Sequence, residues 1–200
     1  MEFTLKRNVQ IVAWLLFIAA ITQAAYTVLY ITQPEIDRTF LWSIESILFV
    51  VLAAFAGAAM LESKRYALGW SAIAMSAVLN VVQVGVGLTQ FGPFFEAAGN
   101  AEALAPAAGS VVAYSFFVYN AAKMLLALAA IVFGMAKLQS GSKALGGLSA
   151  LVGLVAFISN ALSMALGRDF SGELPIAGGS GVLATILLAI CLLTLAKEQD

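Results

Sequence analysis

Two charges stand inside apolar runs where charge is costly. Lys123 is set into VVAYSFFVYNAAKMLLALAAIVFGMAKL (residues 111–138), and Glu45 into the run 40–61. On insertion scales a charged side chain at a membrane-helix centre costs about 2.5–3.5 kcal/mol, so such residues are candidates for function by default. A buried lysine can pair with an acid, hold a charged ligand or, as the free amine, form a Schiff base with a carbonyl. Helical spacing puts Tyr119 and Asn120 beside Lys123, and puts Asn80 on one face with Ser76 and Gln83. Gln23 and Asn160, the latter with Ser163 at i+3, complete the polar set.

Depth along the helices brings these side chains to one level. At ~1.5 Å per residue, Lys123 lies about 22 Å above Leu138, and Glu45 about 24 Å above Leu61. Gln23 and Asn80 come out near 21 Å, Asn160 near 24 Å and Asn120 near 27 Å, with Gln83 one turn beyond Asn80. The inner halves, such as LFVVLAAFAGAAML (48–61) and LLAICLLTLA (187–196), offer almost nothing polar. A layer of this kind above an oily floor predicts a site that faces outward and is closed below. A permanently open pore would be polar throughout its length. The candidate ligand-binding residues are therefore Lys123, Glu45, Asn120, Tyr119, Asn80, Gln83, Gln23 and Asn160. The competing reading is a polar network that only pins the helices together.

Other chemistry finds no support. The chain has no histidine, which disfavours bis-histidine haem, histidine-ligated metals and His-based triads. Neither a GxSxG motif nor a pair of intramembrane aspartates is present for proteolysis, and no phosphate-binding loop, metal cluster or nucleic-acid patch occurs. Retinal proteins carry a Schiff-base lysine, but on seven helices. No cofactor and no catalytic residue is expected, and an enzyme ranks below a binding protein. Cys191 cannot form an internal disulfide and reads as a small apolar filler.

The elements that must hold the layer follow from composition. Of 200 residues, 62% are hydrophobic and 10% charged, where a soluble domain carries about 25% charged residues. Six runs reach the roughly 20 residues needed to cross a bilayer: 9–31, 40–61, 66–88, 113–138, 144–166 and 178–197. The fold expected is all-α, a single six-helix transmembrane domain. The first run is too long for a cleaved signal segment and is expected to remain. Lys6, Arg7, Lys64, Arg65, Lys137, Lys143 and Lys197 fall on one side. Arg38 and Arg168 fall on the other with Glu35, Asp37, Glu96, Glu102, Asp169 and Glu173. The positive-inside rule then predicts both termini cytoplasmic, in a plasma (bacterial inner) membrane. Trp42 and Tyr30 at the outer boundary and Trp70 at the inner one are placed as interfacial belts.

Residues 89–112 are expected as a long acidic extracytoplasmic loop, with Phe91, Phe94 and Phe95 lying on the interface or over the bundle. A repeat at an offset of 77 aligns GAAMLESKRYALG (57–69) with GMAKLQSGSKALG (134–146), matching at seven of thirteen positions. It would relate helices 2–3 to 4–5. PAAGS (106–110) and PIAGGS (175–180) introduce the fourth and sixth spans alike.

Two functions fit. One is a small-molecule binding or transport protein with its ligand in the outer leaflet. Its six-helix layout is similar to the substrate-binding subunits of energy-coupling-factor vitamin transporters, with Ala20 and Ala24 echoing the small-residue face of their first helix. That resemblance implies a solute held near the outer face and a separate ATPase module powering release. The other is an accessory or scaffold subunit whose stripes at Ala53/Gly57 and Ala130/Gly134 face membrane partner subunits or a second copy. The lipid bilayer is a partner in either case, and nucleic acid in neither.

Overall fold

The computed structural model describes residues 4–33, 36–167 and 176–197. Glu35, Arg168, Asp169, Glu173, Pro175 and the side chains of Tyr30 and Lys197, which entered the charge, belt and repeat arguments, lie outside the described residues.

Helices account for nearly all of the described chain, and no strand occurs among the described residues. They are α1 (Leu5–Thr32), α2 (Thr39–Glu62), α3 (Ala67–Val86), α4 (Gly92–Asn100), α5 (Ala105–Gln139), α6 (Lys143–Leu166) and α7 (Ile176–Lys197). Six helical stretches are long and apolar enough to cross a membrane. Local chemistry marks several ends. The Thr4 hydroxyl accepts from the Arg7 N–H ahead of α1, the Asp37 carboxylate accepts from the first N–H of α2 at 2.8 Å, and Gly141 takes φ +94° in the tight turn between α5 and α6.

The segment expected as a long loop is helical. α3 runs through a π-helical turn, Gly87–Phe91, straight into α4, and a 3-10 turn, Glu102–Leu104, leads into α5. Pro93 and Pro106 sit in the first turns of α4 and α5. A proline's missing N–H has no helical partner there anyway. Residues unfavourable inside a helix thus begin one. At 35 residues, α5 is about 52 Å long, well beyond a ~30 Å hydrocarbon core.

Packing orders the helices simply. Among the described residues α1, α2, α3, α5 and α7 follow one another round a closed ring, with α6 outside it against α5 and α7. The α5–α6 contact is backbone on backbone. A Cβ on Gly134 would lie 2.8 Å from Ala150 N, and one on Gly146 would lie 2.6 Å from Gly134 O. Ser149 donates across the contact to Ala130 O at 3.0 Å. The Ala130/Gly134 stripe, expected to face a foreign helix, is thus covered from within. Gly57, its counterpart at the offset of 77, has nothing within 4 Å of an added Cβ.

The side chains of one buried cluster fill the ring on the far side of the polar layer. Phe49 and Leu52 follow Glu45, Leu126 follows Lys123, and Leu16, Ile73 and Leu188 come from the other three helices; all six are fully buried. Outward faces carry residues such as Ile47, Val50, Leu151 and Leu154, all exposed. Trp70 differs from its expected interfacial place: it is buried against Phe133, ring centroids 5.0 Å apart. Cys191 is buried in the apolar core.

Candidate functional site

Consecutive residues of α1 organise the polar layer. Thr22 and Gln23 lie about 100° apart around the helix, so they address different neighbours. The Thr22 hydroxyl donates to Glu45 Oε1 at 2.7 Å on α2, with Ala19 O also in reach at 3.0 Å. The Gln23 side-chain oxygen accepts from Lys123 Nζ on α5. Acid and base are both buried inside the ring, at 4% and 0% exposure. No direct Glu45–Lys123 hydrogen bond joins them; each has a neutral hydrogen-bonding partner, and an acid and a base in one buried layer attract through space wherever both are charged.

The rest of Lys123 is equally enclosed. Its ammonium lies 5.4 Å from the centroid of the Tyr119 ring, within cation–π range. Its methylenes run past Gly181 of α7, where an added Cβ would come within 3.1 Å of Cδ. Gly181 is therefore what admits the lysine stem. Asn160 borders the same point and donates to Ala156 O at 2.8 Å and Ala177 O at 3.2 Å, linking α6 to the start of α7.

On the α3 side, Ser76 donates to Ala122 O at 2.8 Å, next to Lys123. Asn80 donates to Ser76 O at 3.0 Å. One level further from the floor, Gln83 donates to Ser115 Oγ at 3.3 Å. Asn120 stands apart from this network: its amide turns back to Phe116 O on its own helix at 2.7 Å. Of the eight residues expected in the site, Lys123, Gln23, Glu45 and Tyr119 meet at its centre. Asn80, Gln83 and Asn160 flank it.

Two buried acceptors in this shell have no hydrogen-bond partner, Asn80 Oδ1 and Asn160 Oδ1. In both residues the NH₂ group is committed to a main-chain carbonyl, which fixes the amide's orientation and leaves the oxygen buried without a donor. A buried acceptor without a donor costs about 1–3 kcal/mol. The Lys123 ammonium has three N–H donors and spends one on Gln23. The layer therefore holds hydrogen-bonding capacity that its own residues do not use.

An aromatic stack covers the layer. Tyr26, one turn beyond Gln23, stacks on Trp42, one turn beyond Glu45, with ring centroids 5.5 Å apart. Phe91 meets the Trp42 ring edge-on at 5.5 Å, and Phe95 meets Phe91 likewise at 5.9 Å. Gly87, in the π-helical turn, lets Trp42 approach; a Cβ there would be 3.1 Å from the indole. Above the stack opens a cleft of about 310 Å³, with Asp37 and Arg38 at its lip. The Arg38 guanidinium lies 5.5 Å from the centroid of the Tyr26 ring. The Thr39 hydroxyl, then its N–H, holds the exposed Asp37 carboxyl below the ordinary carboxylate value.

Sequence reasoning missed Thr22, Gly181 and the part played by Trp42. Thr22 had a signal, a hydroxyl next to Gln23 at the same depth. Gly181 had none, because a glycine near a helix start resembles any other. No protein-family model matches this chain, and searches of curated proteins and of solved structures find no match either.

Proposed function

We propose that the protein binds a small polar or charged molecule within the membrane, as a solute-binding or transport subunit. The site faces outward in this reading, with both termini cytoplasmic in a bacterial inner membrane. The basic residues at one end of the bundle support that orientation. The observation that carries the proposal is the separation of Glu45 from Lys123 by their partners on α1, beside two unused buried acceptors. A strut would gain most by pairing acid and base directly and satisfying every group, since an incompletely satisfied buried network is costly. A ligand with its own charges and donors could take up what the layer leaves over. The cleft above Trp42 and Tyr26 supplies an approach, and rotation of Trp42 would open it.

The test is native mass spectrometry of mildly purified protein, wild type against Lys123→Met. The proposal expects a small molecule retained by wild type and lost from a folded variant. If Lys123→Met folds poorly, the double variant with Glu45→Gln removes both charges and reads the same loss. Wild-type protein that carries no small molecule, together with variants that fail only in folding, would overturn the proposal.

A second reading, an accessory subunit of a membrane complex, has one observation in its favour. Gly57 is left open where its counterpart Gly134 is covered by α6, although Ala53 one turn before it packs against the core. Small residues of this kind admit a close helix neighbour in lipid. A stoichiometric foreign subunit in the same mass spectrum would select it.

A further inference from the structure

At the opposite end of the ring is a second concavity, of about 220 Å³, that the polar layer does not reach. Leu5, Val9, Leu192 and Leu195, from α1 and α7, make an aliphatic wall. Facing it are Arg65 and Tyr66 of the α2–α3 turn, above a floor of Trp70 and Phe133. We infer that this cleft binds an anionic phospholipid, with its phosphate on Arg65 and acyl-chain carbons against the α1–α7 wall.

Four observations converge. First, the Arg65 guanidinium rests 5.0 Å from the centroid of the Tyr66 ring, and no carboxylate pairs with it among the described residues. Glu62, the acid nearest in sequence, already accepts from Asn8 at 3.1 Å. A planar guanidinium with free N–H groups matches phosphate oxygens two at a time. Second, Tyr66 is the one non-glycine residue with positive φ among the described residues, at +66°. Its ring is held between Arg65 and Phe133, the latter at 5.6 Å. Backbone strain of this kind persists where the surroundings dictate it, and it clusters at binding sites. Third, the neighbouring hydroxyls are already spent on the turns: Ser63 donates to Arg65 O at 2.8 Å and Ser140 to Lys137 O at 3.1 Å. The guanidinium is the one cationic donor among the residues that line the cleft. Fourth, Arg7, Lys64 and Lys143 share this end of the bundle. Basic residues beside membrane spans attract anionic head groups, and basic pockets between helices hold them.

Native mass spectrometry separates the outcomes. Purified full-length protein is titrated with phosphatidylglycerol, with phosphatidylcholine of the same chains, and with glycerol 1-phosphate. Phosphatidylglycerol is expected to be retained over phosphatidylcholine, and glycerol 1-phosphate to bind far more weakly for want of a chain. Arg65→Gln should reduce phosphatidylglycerol retention about tenfold by removing the charge-assisted bonds. Arg65→Lys, which keeps the charge and loses the fork, should fall between. If Arg65→Gln does not fold, Leu195→Trp at the half-buried edge of the aliphatic side narrows the cleft and should lower retention with Arg65 intact. Equal retention of the two lipids by wild type, glycerol 1-phosphate binding as tightly as lipid, or full retention by a folded Arg65→Gln would each overturn the inference. Lipid and the small molecule of the outer site give separate mass shifts on the same wild-type protein, so failure here and failure of the outer site are distinguishable.

Discussion

The two ends of the ring treat charge in opposite ways. Around Lys123 every ionic group is enclosed and held by a neutral neighbour: Glu45 by Thr22, Lys123 by Gln23 and the Tyr119 ring. Around Arg65 the cation is exposed, lies on an aromatic face and has no acid partner among the described residues. Between them lies a buried apolar cluster containing Phe49, Leu52, Ile73, Leu126 and Leu188. Depth decides the difference. In the interior an unpaired charge is prohibitively costly, whereas a charge at the rim can be hydrated. The ionic groups of the first region therefore take their contacts from within the layer, which leaves over the Asn80 and Asn160 oxygens, while the cation of the second is open to an outside partner.

The largest effect should come from breaking the enclosed pair. Lys123→Met strands Glu45 and is expected to cost about 3 kcal/mol in unfolding measured in mixed micelles. Adding Glu45→Gln should recover more than half of that. If the double variant is no better than the single one, the through-space coupling of the two is wrong. Gly181→Val pushes a side chain into the lysine stem and should cost about 1–3 kcal/mol as overpacking. Next comes Thr22→Val, which removes the hydroxyl from Glu45 and should cost about 1.5–3 kcal/mol if that bond is to a charged carboxylate, less if it is to a neutral one. At the other extreme Gly57→Leu adds a side chain in open space and should stay within about 0.5 kcal/mol, while the same change at Gly134 should disrupt the α5–α6 contact.

The smallest effect concerns pH. The Asp37 carboxyl titrates below its ordinary value because Thr39 favours the charged form. A lowered folded-state value means its contribution is present above the unfolded value and lost as pH falls through the folded one. Carbon-detected NMR of the Asp37 carboxyl should show that lowered midpoint, and Thr39→Val should move it back up.

Hydropathy made the six spans legible, and ends such as α2 and α6 fall within one residue of expectation. Helical rise also placed Gln23 and Lys123 at one depth, and they bond. Rotation about each helix axis was not legible. A single residue turns a side chain by about 100°, so which polar group met which depended on packing that no depth count contains. For that reason Lys123 and Glu45, expected at one level, bond Gln23 and Thr22 rather than each other, and Asn120, expected among the ligand-binding residues, bonds its own helix. The helical character of 89–112 was hidden for another reason. Glycine and proline are poor residues for a helix interior, and only the position of Gly92 and Pro93 at the first turn of α4 makes them compatible with a helix there.

Closure of the ring joins α1 to α7, two helices separated along the chain by all of α2 to α6. Ribosomes add about 5–20 residues per second, so this seam stands open for roughly ten to thirty seconds of every molecule's synthesis. Throughout that interval the apolar flank of α1 is without the neighbour that will cover it. Whatever fills the gap meanwhile, whether acyl chains or a chaperone's helix, has to leave before α7 can dock.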